Sequence, residues 1–228
     1  MGKGIGVIIP AAGSGKRLGG LSKPLIEIGG RPIILRLLEL FAELGDVKRI
    51  CIAVQPENTS DFKKIVESME LWGLMEIVEG GTERPASVKN AFEDLKKSIS
   101  EDDLVCIHDA ARPLLSKTDL GRVIDAGWKY GAAFLAAKVK DTLKVVDESN
   151  FCVSTIDRSK IFAAQTPQVM TSRLLSRAYD AVSDFSDVTD EIMLLERIGV
   201  KAFVVEPHNL NLKLTTAEDL ELLKKLIS

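Results

Sequence analysis

Two rhythms of apolar and polar positions alternate along the chain. Ile5 to Pro10 is an apolar run without helical polar spacing, the pattern of a strand buried in a parallel sheet. Pro32 opens a helix, in which Ile34, Leu37, Leu38, Phe41 and Leu44 recur at helical spacing before Gly45 stops it. The same alternation continues downstream. Strands are predicted over Arg49–Val54, Met75–Val78, Leu104–Ile107 and Ala132–Val139, and helices over Asn58–Met69, Arg84–Ile99 and Lys117–Tyr130. Helices return at Ser172–Val182 and Asp187–Ile198, followed by a strand over Lys201–Val205 and an amphipathic helix over Thr216–Ile227. A repeating strand–helix order predicts an α/β fold: a mostly parallel sheet with helices on both faces, in one domain spanning 1–228. Such sheets bind ligands at the carboxyl ends of their strands.

The rhythm breaks between Lys140 and Phe162. Thr142–Val146 and Cys152–Ile156 are short, partly alternating runs separated by the turn-like Asp147-Glu148-Ser149-Asn150. This predicts a hairpin arm over 140–162 that leaves the sheet. A lone hairpin is marginal in water, so the arm packs either on a second subunit or on its own domain.

Composition narrows the function classes. A net charge of -3 in 228 residues argues against a nucleic-acid-binding protein, which usually shows a strongly basic face. No apolar run is long enough for a membrane span, and the first residues lack a cleavable signal pattern, so a cytoplasmic protein is expected. Cys51, Cys106 and Cys152 are odd in number and far apart, which supports neither a disulfide framework nor a zinc site.

The candidate chemistry clusters after the strands. Ala11-Ala12-Gly13-Ser14-Gly15 follows the first strand, and Lys16, Arg17 and Lys23 follow that loop. Small residues let a backbone approach a ligand and aim its N–H groups at an anion, which the cations then neutralise. The alternative is a tight strand-to-helix turn with solvated lysines. Spacing excludes a Walker A loop, because Arg17 stands where a hydroxyl is needed, and Leu18 breaks the dinucleotide fingerprint. The charge density suits a triphosphate. Asp109 closes a strand within His108-Asp109-Ala110-Ala111-Arg112-Pro113, where a carboxylate either holds magnesium jointly with phosphates or pairs Arg112 and shapes the turn. His108 reads as a structural hydrogen-bonding residue. Gly80-Gly81-Thr82-Glu83-Arg84, with Ser87 behind it, is either a base-recognising turn or a plain capped helix start. Thr166-Pro167-Gln168 and Thr189-Asp190-Glu191 have the look of ordinary turn and helix-start chemistry.

Read together, PAAGSGKRLG, GGTERPASV, HDAARP, VKDT, DRS, QTPQ, TDE and LKLT resemble, in order, the 2-C-methyl-D-erythritol 4-phosphate cytidylyltransferase (IspD) family from Gly6 to Asp219. The resemblance implies a Rossmann-like, GT-A-like nucleotidyltransferase that moves CMP from CTP to methylerythritol phosphate with Mg2+ or another divalent cation, as a homodimer joined through the arm. It implies catalytic roles for Arg17, Lys23 and Lys213. Pro10, Ala11, Ala12, Gly13, Ser14, Gly15, Gly81, Ser87, Asp109 and Ala110 would hold the nucleotide, with Asp109 also at the metal. Arg112, Thr142, Arg158, Thr166 and Thr189 would hold the acceptor phosphate and polyol. One departure is Ser22-Lys23-Pro24, where the family usually has Pro-Lys-Gln; Pro85 is another. The alternatives are a ribitol-5-phosphate cytidylyltransferase of the same fold, a sugar-nucleotide pyrophosphorylase and a non-catalytic nucleotide-binding module. The short segment after the last helix predicts a form without a fused synthase domain.

Overall fold

The structure is a computed structural model that describes residues 3–13, 22–69, 73–185 and 187–227. Seven strands form the central sheet in the order β11-β7-β10-β6-β1-β4-β5. These are β1 (Ile5–Pro10), β4 (Val47–Val54), β5 (Met75–Glu79), β6 (Leu104–Ile107), β7 (Ala132–Lys138), β10 (Phe162–Thr171) and β11 (Phe203–Val205). The β1 neighbours β4 and β6 run parallel to it, as do the pairs β4–β5 and β11–β7. Only β10 runs antiparallel, against β6 and β7.

Why the strands read as unbroken apolar runs is visible in the packing. Successive side chains point to opposite faces. Val7, Ile9, Ile50 and Ile52 enter one core with helices α1 (Ile33–Ala42), α2 (Thr59–Ser68) and α4 (Lys117–Tyr130). Ile8, Cys51, Val105 and Ile107 enter the other with α3 (Arg84–Leu95), α5 (Ser172–Ala181) and α6 (Glu191–Arg197). With both faces covered there is no polar side for alternation to mark. A third, smaller cluster joins Ile28 and Ile33 to Leu214 and to Leu223 of α7 (Ala217–Ile227), and so holds the Lys213 segment against the sheet.

Local chemistry sets the helix ends. Ser116 caps α4, its Oγ accepting from the Asp119 N–H at 3.1 Å, and Gly131 ends the helix at φ 82°, a conformation that favours glycine. In α3, Pro85 sits in the first turn, where its missing N–H has no helical partner to lose, so this departure is compatible with the helix.

The clearest difference from the sequence reading is β10. The segment from Phe162 to Thr171 was expected to include a turn at Thr166-Pro167-Gln168, yet it forms the ten-residue strand between β6 and β7. A register shift between Ala164 and Gln168 takes up the Thr166–Pro167 step, whose peptide bond is cis, so the pattern does not read as a continuous strand. Smaller differences are the ends of α3 at Leu95 and the start of α6 at Glu191, with Asp190 as its cap.

The arm is a separate two-stranded sheet, β8 (Leu143–Val146) against β9 (Cys152–Ile156). Its turn is built by Asp147, whose Oδ1 accepts from the Ser149 and Phe151 N–H groups at 2.9 Å each, and by Asn150 at φ 64°. The remaining short pair, β2 (Glu27–Ile28) with β3 (Arg31–Pro32), leads into α1.

Candidate active site

A cleft of about 600 Å³ lies beyond the carboxyl ends of β1, β5 and β6. Pro10, Ala12 and Gly13 form one wall, Gly81 to Arg84 with Ser87 a second, and Asp109 to Ala111 the floor, while Lys23, Lys213 and Thr215 close the remaining side. The walls are bound to each other. Gln55 donates from Nε2 to the Ala12 carbonyl at 2.7 Å, and Gly80 donates to the Val54 carbonyl at 2.7 Å. A Cβ on Gly80 would stand 2.3 Å from that of Ala12, so only glycine allows the two loops to meet. The Ser87 hydroxyl donates to the Glu83 carbonyl at 3.0 Å and accepts the Gly81 N–H at 3.0 Å. Ser87 therefore faces the cleft and also shapes the turn, while the N-cap of α3, Glu83, makes no side-chain cap bond.

The floor is electrostatic. Asp109 Oδ1 accepts from Arg84 Nε at 3.0 Å and Oδ2 from Lys213 Nζ at 2.8 Å. Burial alone would raise this carboxyl, but Arg84 and then Lys213 hold it well below the usual carboxylate range. Arg112 is a weaker partner, its Nε 3.9 Å from Asp109 Oδ2, because its Nη1 donates to the Asn211 carbonyl at 2.8 Å. Behind Arg84, one nitrogen, Nη1, donates to both oxygens of Glu191 at 3.0 Å, and Glu191 is wholly buried. Burial raises the Glu191 carboxyl, opposed by Arg84, while the two acids hold Arg84 firmly protonated against its own burial.

Below the floor sits His108, fully buried, with burial lowering its pKa to about 4 despite the hydrogen bond to Arg112. Its Nε2 lies 3.0 Å from the Arg112 carbonyl, which can only accept, so the neutral ring carries its proton there. Nδ1 then accepts from the Thr166 hydroxyl at 3.1 Å, and the same oxygen accepts the Asp109 N–H at 3.0 Å. Thus His108 holds the structural role read from sequence.

Several candidate residues stand elsewhere than expected. The Ala11 side chain is in the core, not on the cleft wall. The Thr166 hydroxyl is buried under Asp109 with its proton spent on His108, so it positions Asp109 where direct contact with the acceptor was expected. Arg112 is turned toward Asn211. Thr142, Arg158 and Thr189 are exposed and do not line this cleft. Arg158 sits in a short turn after β9, capped by Asp157, whose Oδ1 accepts the Ser159 N–H at 2.9 Å. Ser14, Gly15 and Arg17 lie outside the described residues. Arg84 and Glu191 were missed as site residues, since 107 positions separate them and each alone resembles turn or helix-start chemistry.

A metal reading can be checked on the donor set. No group of three or more metal-ligating side chains occurs among the described residues. Asp109 is paired with Arg84 and Lys213, Glu83 is the other carboxylate that lines the cleft, and each Asp109 oxygen keeps a second lone pair. One carboxylate completed by ligand phosphates and water suits Mg2+.

The sheet, its covering helices and this cation-rich cleft place the chain among the α/β nucleotidyltransferases. More particularly, the family model described as IspD, 2-C-methyl-D-erythritol 4-phosphate cytidylyltransferase, matches residues 5–228, and the chain belongs to that family. A relative of that name from Geobacillus kaustophilus is 37% identical over 215 residues, covering 93% of this chain and 92% of its own. The chloroplastic protein of Oryza sativa is 32% identical over 228 residues, covering 99% of this chain and 75% of its own. Among solved structures, 4-diphosphocytidyl-2C-methyl-D-erythritol synthase of Anaerococcus prevotii superposes with a TM-score of 0.85 at 29% identity, covering 99% and 98% of the two chains. The bifunctional IspDF of Campylobacter jejuni gives 0.79 at 29% identity, with 96% of this chain and 54% of that one covered.

Proposed function

We propose that the cleft binds CTP and 2-C-methyl-D-erythritol 4-phosphate and transfers CMP to the latter, in the pathway to isoprenoid precursors. A phosphate oxygen of the acceptor forms a bond to the α-phosphorus of CTP. The bond from that phosphorus to the bridging oxygen of the β-phosphate breaks, and pyrophosphate leaves with the electron pair. The attacking phosphate is ionised near neutral pH, so no general base is needed, which suits a site whose histidine is buried and neutral. Positioning and charge neutralisation remain as the tasks of the protein. Lys23 and Lys213 both line the cleft and would neutralise the phosphates, with Arg17. Gly81, Ser87, Pro10, Ala12, Gly13 and Ala110 would surround the nucleotide. Asp109 would hold a divalent cation together with the phosphates, and that ion would supply further neutralisation of the triphosphate.

The observation that carries this reading is the pairing of Lys213 with Asp109 at 2.8 Å in a cleft that Lys23 also lines. It gathers cations from distant parts of the sequence onto one anion-sized space. We further infer a homodimer through the arm. Its exposed Val146, Phe151 and Val153, at 53%, 71% and 64% accessibility, suit a subunit contact. Arg158 and Thr142, exposed within the arm, would then serve the neighbouring subunit's cleft. A reducing compartment such as the cytoplasm fits three unbridged cysteines, one of them exposed. Among the described residues no helix is long and apolar enough to cross a membrane. The test is pyrophosphate release from CTP and Mg2+: release on adding methylerythritol phosphate supports the reading, and no release with both substrates present contradicts it.

A further inference from the structure

Glu191 does not itself line the cleft, yet it is the most deeply buried acid connected to it through Arg84. Four charged groups run in series from it to the cleft: Glu191 to Arg84 at 3.0 Å, Arg84 to Asp109 at 3.0 Å, and Asp109 to Lys213 at 2.8 Å. Two acids and two cations alternate, so the row is neutral. Glu191 itself is fixed from behind. Gln168 accepts the Glu191 N–H at 3.1 Å and donates from Nε2 to Asp190 at 2.8 Å, while Asp190 caps α6 by accepting the Met193 N–H at 2.9 Å. Thus β10 and α6 together hold one carboxylate against Arg84.

We infer that Glu191 is a positioning residue for the transfer reaction: by holding Arg84, it limits Arg84 to one oxygen of Asp109 and leaves the other for Lys213. The inference rests on the proposed function above. Without the Glu191 charge, Arg84 has a single carboxylate partner and closes on both Asp109 oxygens. Lys213 then loses its anchor, and the net charge of the floor rises by one. The ground-state grip on phosphates survives, because all the cations remain. The placement of Lys213 against the transferring group does not. A loss of turnover without a loss of nucleotide affinity is therefore expected. If Glu191 only cemented α6 to the sheet, its replacement would lower stability and leave the turnover of folded enzyme unchanged.

The experiment measures pyrophosphate release and CTP binding for the wild type, Glu191→Gln, Glu191→Asp, Arg84→Lys and the Glu191→Gln/Arg84→Lys double variant, each normalised to folded protein by circular dichroism. For Glu191→Gln, kcat is expected to fall at least about tenfold with the CTP Kd changed less than about threefold. Glu191→Asp, which keeps the charge on a shorter stem, recovers part of the loss and guards against a Gln variant that fails to fold. The double variant is no slower than the slower single, as expected of groups acting in series. A folded Glu191 variant with wild-type kcat, or losses that multiply in the double variant, overturns the inference and leaves the proposed function standing. A wild type that turns over no CTP with methylerythritol phosphate overturns both.

Discussion

Lys23 and His108 mark two ways in which a single residue serves this cleft. Lys23 lines it, and its Nζ donates to the Leu214 carbonyl at 3.1 Å, which ties the start of the chain to the Lys213 segment. A cation so placed acts most strongly where negative charge builds up during transfer. Lys23→Ala is expected to cut kcat about 100-fold while the CTP Kd moves less than about threefold. Stopped-turnover assays with binding titrations check this; weakened binding with retained kcat would remove the catalytic role. His108 works from below, as the joint between the Arg112 carbonyl and the Thr166 hydroxyl. Its role was legible in the sequence, because a histidine just before a strand-end carboxylate faces away from the ligand side. That of Thr166 was not: only the placement of β10 beside β6 brings it under Asp109, 57 positions away. Arg84 was equally hidden. Its turn was recognised, but its partner Glu191 belongs to a helix start whose acidic pair reads as capping, and Asp190 does cap that helix.

At the scale of elements, the alternating helices and strands were legible wherever one pattern filled the whole segment. The runs of β1, β4 and β6 are apolar because both faces of the sheet are covered, and α4 carries its own cap and stop. β10 was not legible, since the register shift and the Thr166–Pro167 step interrupt it where sequence rules place a turn. The two hairpin strands were placed within a residue because a hairpin depends on local chemistry: two alternating runs and an Asp147–Asn150 turn. What the arm touches is a separate question. If its apolar side meets a second copy, Val153→Asp should convert a dimer into monomer by sedimentation velocity and lower activity where Arg158 reaches the neighbour's cleft. A variant that sediments like the wild-type dimer would exclude Val153 from the contact. The final tether, from Glu206 to Leu214, has no regular secondary structure and is held at both ends by hydrogen bonds. Asp119 accepts the His208 and Asn209 N–H groups at 2.9 and 3.1 Å, and the Leu214 N–H reaches the Ala111 carbonyl at 2.7 Å. It delivers Lys213 to the floor, and no periodicity announces it.

Across the whole molecule, stability and site share their titrating groups. The unfolded chain protonates His108 below about 6.5, whereas burial delays this to about 4 in the folded state. Between these values the unfolded state binds more protons, so stability rises with pH and is lost on acidification. From His108 alone the loss near pH 5 is about 2 kcal/mol. The depressed aspartates contribute little near pH 5, above their usual pKa near 3.8, and the raised Glu191 carboxyl acts with the opposite sign. Asp103, whose own burial is outweighed by the Lys48 and backbone hydrogen bonds, is lowered to about 2, so its stabilisation is present above its usual pKa near 3.8 and is lost only as pH falls below that value. A urea midpoint that drops between pH 7 and pH 5 is expected, and His108→Gln should flatten that slope; an unchanged slope would show that another group titrates.

The proposed chemistry depends on one choice of acceptor, and that choice is open to direct measurement. Purified protein with CTP and Mg2+ is supplied in parallel with methylerythritol 4-phosphate and ribitol 5-phosphate, and pyrophosphate and the cytidylyl product are followed together. The account predicts equimolar pyrophosphate and 4-diphosphocytidyl-2-C-methyl-D-erythritol with the first acceptor and neither product with the second. Turnover with ribitol phosphate alone would contradict the assigned acceptor, and CTP binding without turnover on either would contradict catalysis itself.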